Sequence, residues 1–214
     1  MDKSQVSFAN RLKKKFSSNE PIFTNEILEL FAEYTRAYVF RLINKSKSVG
    51  ELVQFSSGVY YIPQKADLGS PTITADDVMN KKYVQNGNNV YGIYSGVKLQ
   101  NEFSVTSQMP DVVEIVTSHG EMKCRKIEIG GSKFVLRKAR CQISKANVNA
   151  YKILQLFMDM GTQTKLNDLV KERIIEFIVK NKISTKELMD LAKVFPIKVK
   201  NHLISSGILD VNKR

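Results

Sequence analysis

The sequence predicts an α+β protein, and three stretches predict it. Residues 24–63 run helix, helix, β-rich pair; residues 110–137 hold short β-branched runs around a Gly-Gly turn; and residues 144–209 carry helical apolar periodicity. The chain has 214 residues, 43% of them hydrophobic, enough to bury a core in two domains. The expected division is 1–65, a linker at 66–71 around Gly69, Ser70 and Pro71, and 72–214.

In the first part, Phe8, Leu12 and Phe16 recur at i, i+4 and i+8, so Ser7 to Phe16 reads as a helix. Lys13, Lys14 and Lys15 at its end read as a solvated edge. In TNEILELF, Ile27, Leu28, Leu30 and Phe31 fall at helical spacing behind Thr24, a residue type suited to cap the first turn. RAYVFRLINKSK forms the next helix, started by Tyr34-Thr35 and ended by Gly50. Two β-rich runs follow, 52–55 and 59–63, around the turn Ser56-Ser57-Gly58. Helix, turn, helix and hairpin in this order is the order of a winged helix-turn-helix.

Stepping 100° per residue places Val39, Phe40, Leu42 and Ile43 on one side of the second of these helices. Ala37, Tyr38, Arg41, Asn44 and Lys45 fall on the other. The outer face is cationic, aromatic and free of acid. In a major groove, Arg bonds guanine through two donors and Ala meets a thymine methyl. Tyr34, Thr35 and Arg36 stand at the positive end of the helix, where phosphates bind, and Ser57 sits at the tip of the hairpin. These eight positions, Tyr34, Thr35, Arg36, Tyr38, Arg41, Asn44, Lys45 and Ser57, are the expected double-stranded DNA contacts. The competing reading is a solvated surface on a structural winged helix used for protein contacts.

The second part opens with Thr74 and Asp77, close to a capping box for the helix ADDVMNKKYV, which Asn86-Gly87-Asn88-Asn89 ends. In VYGIYSGVKLQNEF the small residues Gly92, Ser95 and Gly96 are spaced as in a helix that packs closely on a neighbour. Three strands then read at 112–116, 126–129 and 134–137, a small, mostly antiparallel sheet with Gly130-Gly131 as a turn. Its outer positions include Lys133, Arg137, Lys138 and, just beyond, Arg140. A basic strand surface of this kind also suits RNA, although Phe134 alone makes no stacking platform.

A helix capped by Ser144 carries Val148, Tyr151, Ile153, Leu154, Leu156 and Phe157 inward and ends at Gly161. In the next, Leu166 to Asn181, the inward set is Leu169, Val170, Ile174, Phe177 and Ile178. Ser184 and Glu187 form a capping box for TKELMDLAKVF, and Pro196 opens IKVKNHLISS before Gly207. Lys193, Lys198 and Lys200 are basic outer positions. Residues 185–209 read as a packed helical hairpin in preference to a second helix-turn-helix.

Lys plus Arg number 33 against 21 acids, a formal charge of +12 that is greatest in the last third. Such an excess points to a polyanionic or acidic partner. Cys124 and Cys141 lack metal-ligand spacing, and His119 and His202 stand apart from any Cys, Asp or Glu cluster, so no metal site and no cofactor is expected. Ser and Cys nucleophiles lack a nearby base, Asp76-Asp77 suits a helix N-terminus, and neither GxxxxGK nor GxGxxG occurs. No catalytic residue is named and no enzyme is expected. With no long apolar run and no signal-peptide pattern, the chain reads as cytoplasmic, nucleoid-associated when on DNA.

Taken together, GELVQFSSGVYYIP, VYGIYSGVKLQNEF, MPDVVEIVTSHG, KIEIGGSKFVLRKAR and LAKVFPIKVKNHL, in that succession, resemble the AbiEi-type antitoxins of bacterial abortive-infection (type IV) toxin–antitoxin systems. The resemblance spans nearly the whole chain. It implies an N-terminal winged helix that binds inverted repeats in its own promoter and represses it. It also implies a C-terminal domain that counteracts a nucleotidyltransferase-like toxin, directly or indirectly. Lys133, Arg137, Lys138, Arg140, Lys193, Lys198 and Lys200 are the surface on which that second role would rest. The alternatives are a protein-interaction module with a structural winged helix, and an RNA-binding factor.

Overall fold

A computed structural model describes residues 3–64, 72–120, 123–161 and 166–209, with side chains from Phe8 onward. The expected linker at 66–71 lies outside the described residues. The chain is mixed α+β and groups into two compact units. One comprises Met1–Lys81 with Ile129–Gly131, the other Lys82–Glu128 with Ser132–Arg214. The helix expected to open the second domain at residue 75 is therefore grouped, through Lys81, with the first. Its Val78 packs with Val59, Tyr61 and Ile73 of that unit.

The first unit runs α1 (Lys3–Lys15), β1 (Ile22–Phe23), α2 (Thr24–Leu30), α3 (Arg36–Ser48), β2 (Val53–Ser56), β3 (Val59–Tyr61) and most of α4 (Ala75–Tyr83). The strands form one sheet in the order β1-β3-β2, all antiparallel, with an irregularity between Gln54 and Ser56. Phe8, Leu12, Ile22, Ile27, Phe31, Val39, Ile43 and Leu52 fill the core. Burial at about 25 cal/mol per Å² is the main force holding the helices to the sheet. At Gly58 φ is +75°, a left-handed conformation that closes the β2–β3 turn at little steric cost.

Two details differ from expectation. Strand β1 has two residues, too short to show a period of two. Thr24 is not the cap of α2: Phe23 occupies that position, and its N–H is answered by Glu26 Oε2 at 2.8 Å. Thr24 Oγ1 instead donates to the Gly58 carbonyl at 3.2 Å, and the Thr24 N–H donates to the same oxygen at 3.0 Å.

The second unit holds β4 (Gln85–Asn86), β5 (Asn89–Val90), β6 (Gly92–Ser95), α5 (Gly96–Glu102), β7 (Val112–Thr117), β8 (Cys124–Ile129) except its last residue, and β9 (Ser132–Lys138). Then come α6 (Val148–Met160), α7 (Asp168–Lys180), α8 (Thr185–Leu191), a 3-10 turn (Ala192–Val194) and α9 (Ile197–Ser205). Its main sheet has the order β6-β7-β9-β8. Strand β6 pairs antiparallel with β7, Ile93 opposite Val116, and β7 pairs parallel with β9, Ile115 opposite Leu136. Gly130 and Gly131 have φ of +55° and +75° and turn the chain between β8 and β9.

The segment expected as a helix from Val90 is a strand and then a helix. Gly92 marks the reason: a Cβ there would sit 2.0 Å from the Tyr83 carbonyl oxygen, so backbone presses on backbone. At Gly96 φ is +61°, which turns strand into helix.

Helix α6 is the pillar of this unit. Tyr151, Ile153, Leu154, Leu156 and Phe157 are all at most 1% exposed, as in a helix surrounded by other elements. Ser144 does not cap it directly; Asn147 is the cap residue, and its Oδ1 accepts from Ser144 N at 2.9 Å. Asn167 and Ser184 cap α7 and α8 by accepting from Val170 N and Glu187 N. Leu169, expected inward, is 54% exposed because it falls one step outside the stripe of Val170, Ile174 and Ile178. Among the described residues no helix is long and apolar enough to cross a membrane.

Candidate nucleic-acid interface

Helix α3 presents the face that its sequence periodicity predicts. Val39, Leu42, Ile43 and Ser46 are buried, whereas Arg36, Ala37, Arg41, Asn44 and Lys45 are exposed. Thr35 begins the helix in extended geometry, and its Oγ1 accepts from Tyr38 N at 3.4 Å. That bond satisfies one of the donors that a helix leaves open at its start.

Aromatic contact orders this surface. The Phe31 and Tyr34 rings lie 6.4 Å apart, those of Tyr34 and Tyr38 5.2 Å apart, and the Arg41 guanidinium sits 4.7 Å from the Tyr38 centroid. Tyr34 is exposed and Tyr38 half-buried, so the row starts at the core residue Phe31 and continues along the surface. Arg36 lies 5.6 Å from the Phe40 ring. A guanidinium resting on an aromatic face keeps its donors directed outward and loses less freedom when it binds.

The hairpin is held to the helices at both ends. Lys47 Nζ donates to Gln54 Oε1 at 2.7 Å, joining α3 to β2. At the other end the two Thr24 bonds to the Gly58 carbonyl join the turn to α2, with Ser57 exposed beside it. All eight sequence-derived contact positions thus lie in one unit: seven are exposed and Tyr38 is half-buried.

Two supporting groups were not visible in the sequence. The Arg11 guanidinium covers the Phe31 ring at 4.3 Å and bonds the Glu33 carboxylate and the Leu30 carbonyl. The Glu33 bond holds the Arg11 pKa above its ordinary value and the Glu33 pKa below its own. Lys81, only 7% exposed, reaches Glu20 at 2.9 Å, Glu26 at 3.0 Å and the Pro21 carbonyl at 2.7 Å. Its partners stand some sixty positions earlier, and no local pattern joins them.

The basic positions of the second unit are less concentrated. Lys133, Lys138, Arg140, Lys193 and Lys198 are exposed and Lys200 is half-buried. Arg137 Nε donates to Glu114 at 2.6 Å, a bond that raises the arginine's pKa, and Lys193 bridges Asp190 at 2.6 Å. Arg137, Lys138 and Arg140 line one cleft of about 790 Å³, whose described lining does not include Lys133, Lys193, Lys198 or Lys200.

Asp159 lies in the same cleft. Its Oδ2 accepts from Ser95 Oγ at 2.9 Å and Gly96 N at 2.7 Å, and its Oδ1 accepts from Gln155 Nε2 at 2.7 Å. Burial pushes this carboxyl up from the ordinary aspartate value, opposed in part by those three donors. The Arg140 N–H donates to the Tyr151 hydroxyl at 3.0 Å.

Among the described residues no group of three or more His, Cys, Asp or Glu is placed to hold a metal ion. Cys124 is exposed and Cys141 partly buried, both free. His119 stacks on Tyr91 at 3.8 Å and His202 meets Phe157 edge-on at 5.0 Å.

No protein-family model and no curated protein matches the chain. Among solved structures, the Rv2827c protein of Mycobacterium tuberculosis is similar at 11% sequence identity and a TM-score of 0.45. The similarity covers 98% of this chain and 78% of that one.

Proposed function

We propose that the first unit is a winged helix-turn-helix that binds duplex DNA through α3, with β2 and β3 as its wing. On this reading Arg41, Asn44 and Lys45 meet base edges, Tyr34, Thr35 and Arg36 meet phosphates at the helix start, and Ser57 meets the backbone from the wing. The observation that carries it is the exposed, acid-free face of Arg36, Ala37, Arg41, Asn44 and Lys45 on a capped helix whose other face is core. A formal charge of +12 supplies the long-range attraction to a polyanion.

The wider role follows from the resemblance in sequence: an AbiEi-type antitoxin that represses its own promoter at inverted repeats. Its second unit would counteract a nucleotidyltransferase-like toxin. A reporter driven by the DNA upstream of the gene tests the first half. Repression by the full chain, lost in Arg41→Ala with Lys45→Ala, supports it; an unrepressed reporter contradicts it. Growth rescue from a nucleotidyltransferase-like toxin encoded beside the gene tests the second half, and failure to rescue removes it.

A further inference from the structure

The cleft lined by β7, β9, α5 and α6 has an unanswered feature at its floor. Gln155 is 1% exposed, and its side-chain Oε1 has no hydrogen-bond partner. The amide cannot turn over to relieve this, because Nε2 is committed to Asp159 Oδ1 at 2.7 Å and lies 3.3 Å from Ser95 Oγ. A buried acceptor left open is unfavourable by about 1–3 kcal/mol, and a donor brought by a bound molecule would relieve it.

The rim has the opposite demand. Lys123, Lys138 and Arg140 are exposed cations at the cleft, and the Arg140 guanidinium is steadied by Met158 Sδ at 3.4 Å and the Phe195 ring at 5.7 Å. Val97, Val116 and Met158 give the same cleft apolar lining against which a ring can rest. The volume of about 790 Å³ lies within the roughly 300–1,000 Å³ of small-molecule sites.

The geometry points to a binding site for a nucleoside monophosphate. Its phosphate would lie among Lys123, Lys138 and Arg140, and a ring N–H or amino group would donate to Gln155 Oε1. A phosphate alone answers the rim and leaves the floor open; a neutral nucleoside does the reverse. A molecule carrying both groups answers both demands at once. This site lies within the second unit and does not depend on DNA reading by α3.

Isothermal titration of the full chain tests it, with the four ribonucleoside monophosphates and inorganic phosphate as separate probes. At least one monophosphate is expected to bind tighter than inorganic phosphate. Lys123→Ala with Lys138→Ala, both exposed and checked for fold by circular dichroism, is expected to weaken that binding about tenfold or more, the size of a lost charge-assisted contact. Gln155→Met is expected to bring the monophosphate to the affinity of inorganic phosphate. Arg41→Ala should leave all these values unchanged, so that this site and the DNA reading fail separately. Three results overturn the proposal: no binding of any monophosphate at millimolar concentration, inorganic phosphate binding as tightly as every monophosphate, or unchanged binding in the double lysine variant.

Discussion

Lys81 fastens α4 to the corner from which α2 departs, and its removal offers the sharpest test of how the first unit is held. The Nζ lies 2.9 Å from Glu20, 3.0 Å from Glu26 and 2.7 Å from the Pro21 carbonyl. Its side chain is 8% exposed, whereas those of Glu20 and Glu26 are 34% and 19% exposed. Breaking a fully buried pair costs about 3–5 kcal/mol and an exposed pair about 0–1 kcal/mol. Because both carboxylates reach water after the lysine is gone, an intermediate loss of about 2 kcal/mol applies. The stem lies near Phe16 and Phe23, with the ammonium 5.1 and 5.8 Å from their centroids, and truncation forfeits roughly 1 kcal/mol more.

Lys81→Ala should therefore destabilise the first unit by about 3 kcal/mol, and Lys81→Met by about 2 kcal/mol because it keeps the stem. Urea unfolding followed by circular dichroism reads this directly. With a slope of about 1–3 kcal/mol per molar, the Ala midpoint falls by roughly 1–3 M. A loss under about 1 kcal/mol in Lys81→Ala would mean that these contacts behave as a surface pair, against the buried anchor inferred for Lys81.

Three further changes probe separate parts of the account. Thr35→Ala removes the acceptor for Tyr38 N and should lower stability by about 0.5–2 kcal/mol in a thermal melt, with no loss expected if water replaces the cap fully. Gly92→Ala puts a methyl group 2.0 Å from the Tyr83 carbonyl and 2.9 Å from that of Val116, so the backbone must shift. A cost of about 2 kcal/mol or more is expected, and a neutral variant would show that β6 is not pressed there. For Asp159 the raised folded pKa means that the native state holds the proton more tightly than the unfolded chain. Its contribution is thus greatest below the ordinary aspartate value, declines as pH rises to the folded value, and is flat above. Asp159→Asn does not titrate. The stability of the wild type relative to this variant should fall in urea melts as pH rises above the ordinary aspartate value, and a difference that rises would reverse the assigned cause.

The parts legible in the sequence are those with long, local periods. Helix α3 shows its two faces because thirteen residues repeat the helical period more than three times, and the hairpin shows because Gly58 punctuates it. Strand β1 has two residues and no period at all. Residues 90–103 misled because the small residues that suit helix contact also suit a strand pressed on backbone; only the tertiary position of Tyr83 decides between them. The parallel pairing of β7 with β9 depends on how β8 is laid beside β9, a choice that neither strand's composition encodes. The cleft was half legible: Arg137, Lys138 and Arg140 stood out as charge. Ser95, Gln155 and Asp159 did not, because residues sixty positions apart meet there only after folding.

Equilibrium anisotropy at fixed salt measures whether Arg41 and the face around it read duplex DNA. The full chain is titrated onto its own upstream duplex and onto a scrambled duplex of equal length, wild type beside Arg41→Ala. A lost base contact is worth about 1–3 kcal/mol, so Arg41→Ala should weaken the upstream complex roughly 5- to 150-fold while changing the scrambled one far less. Equal affinity of the wild-type chain for both duplexes, or an Arg41→Ala curve that overlays the wild type on the upstream DNA, would contradict the account.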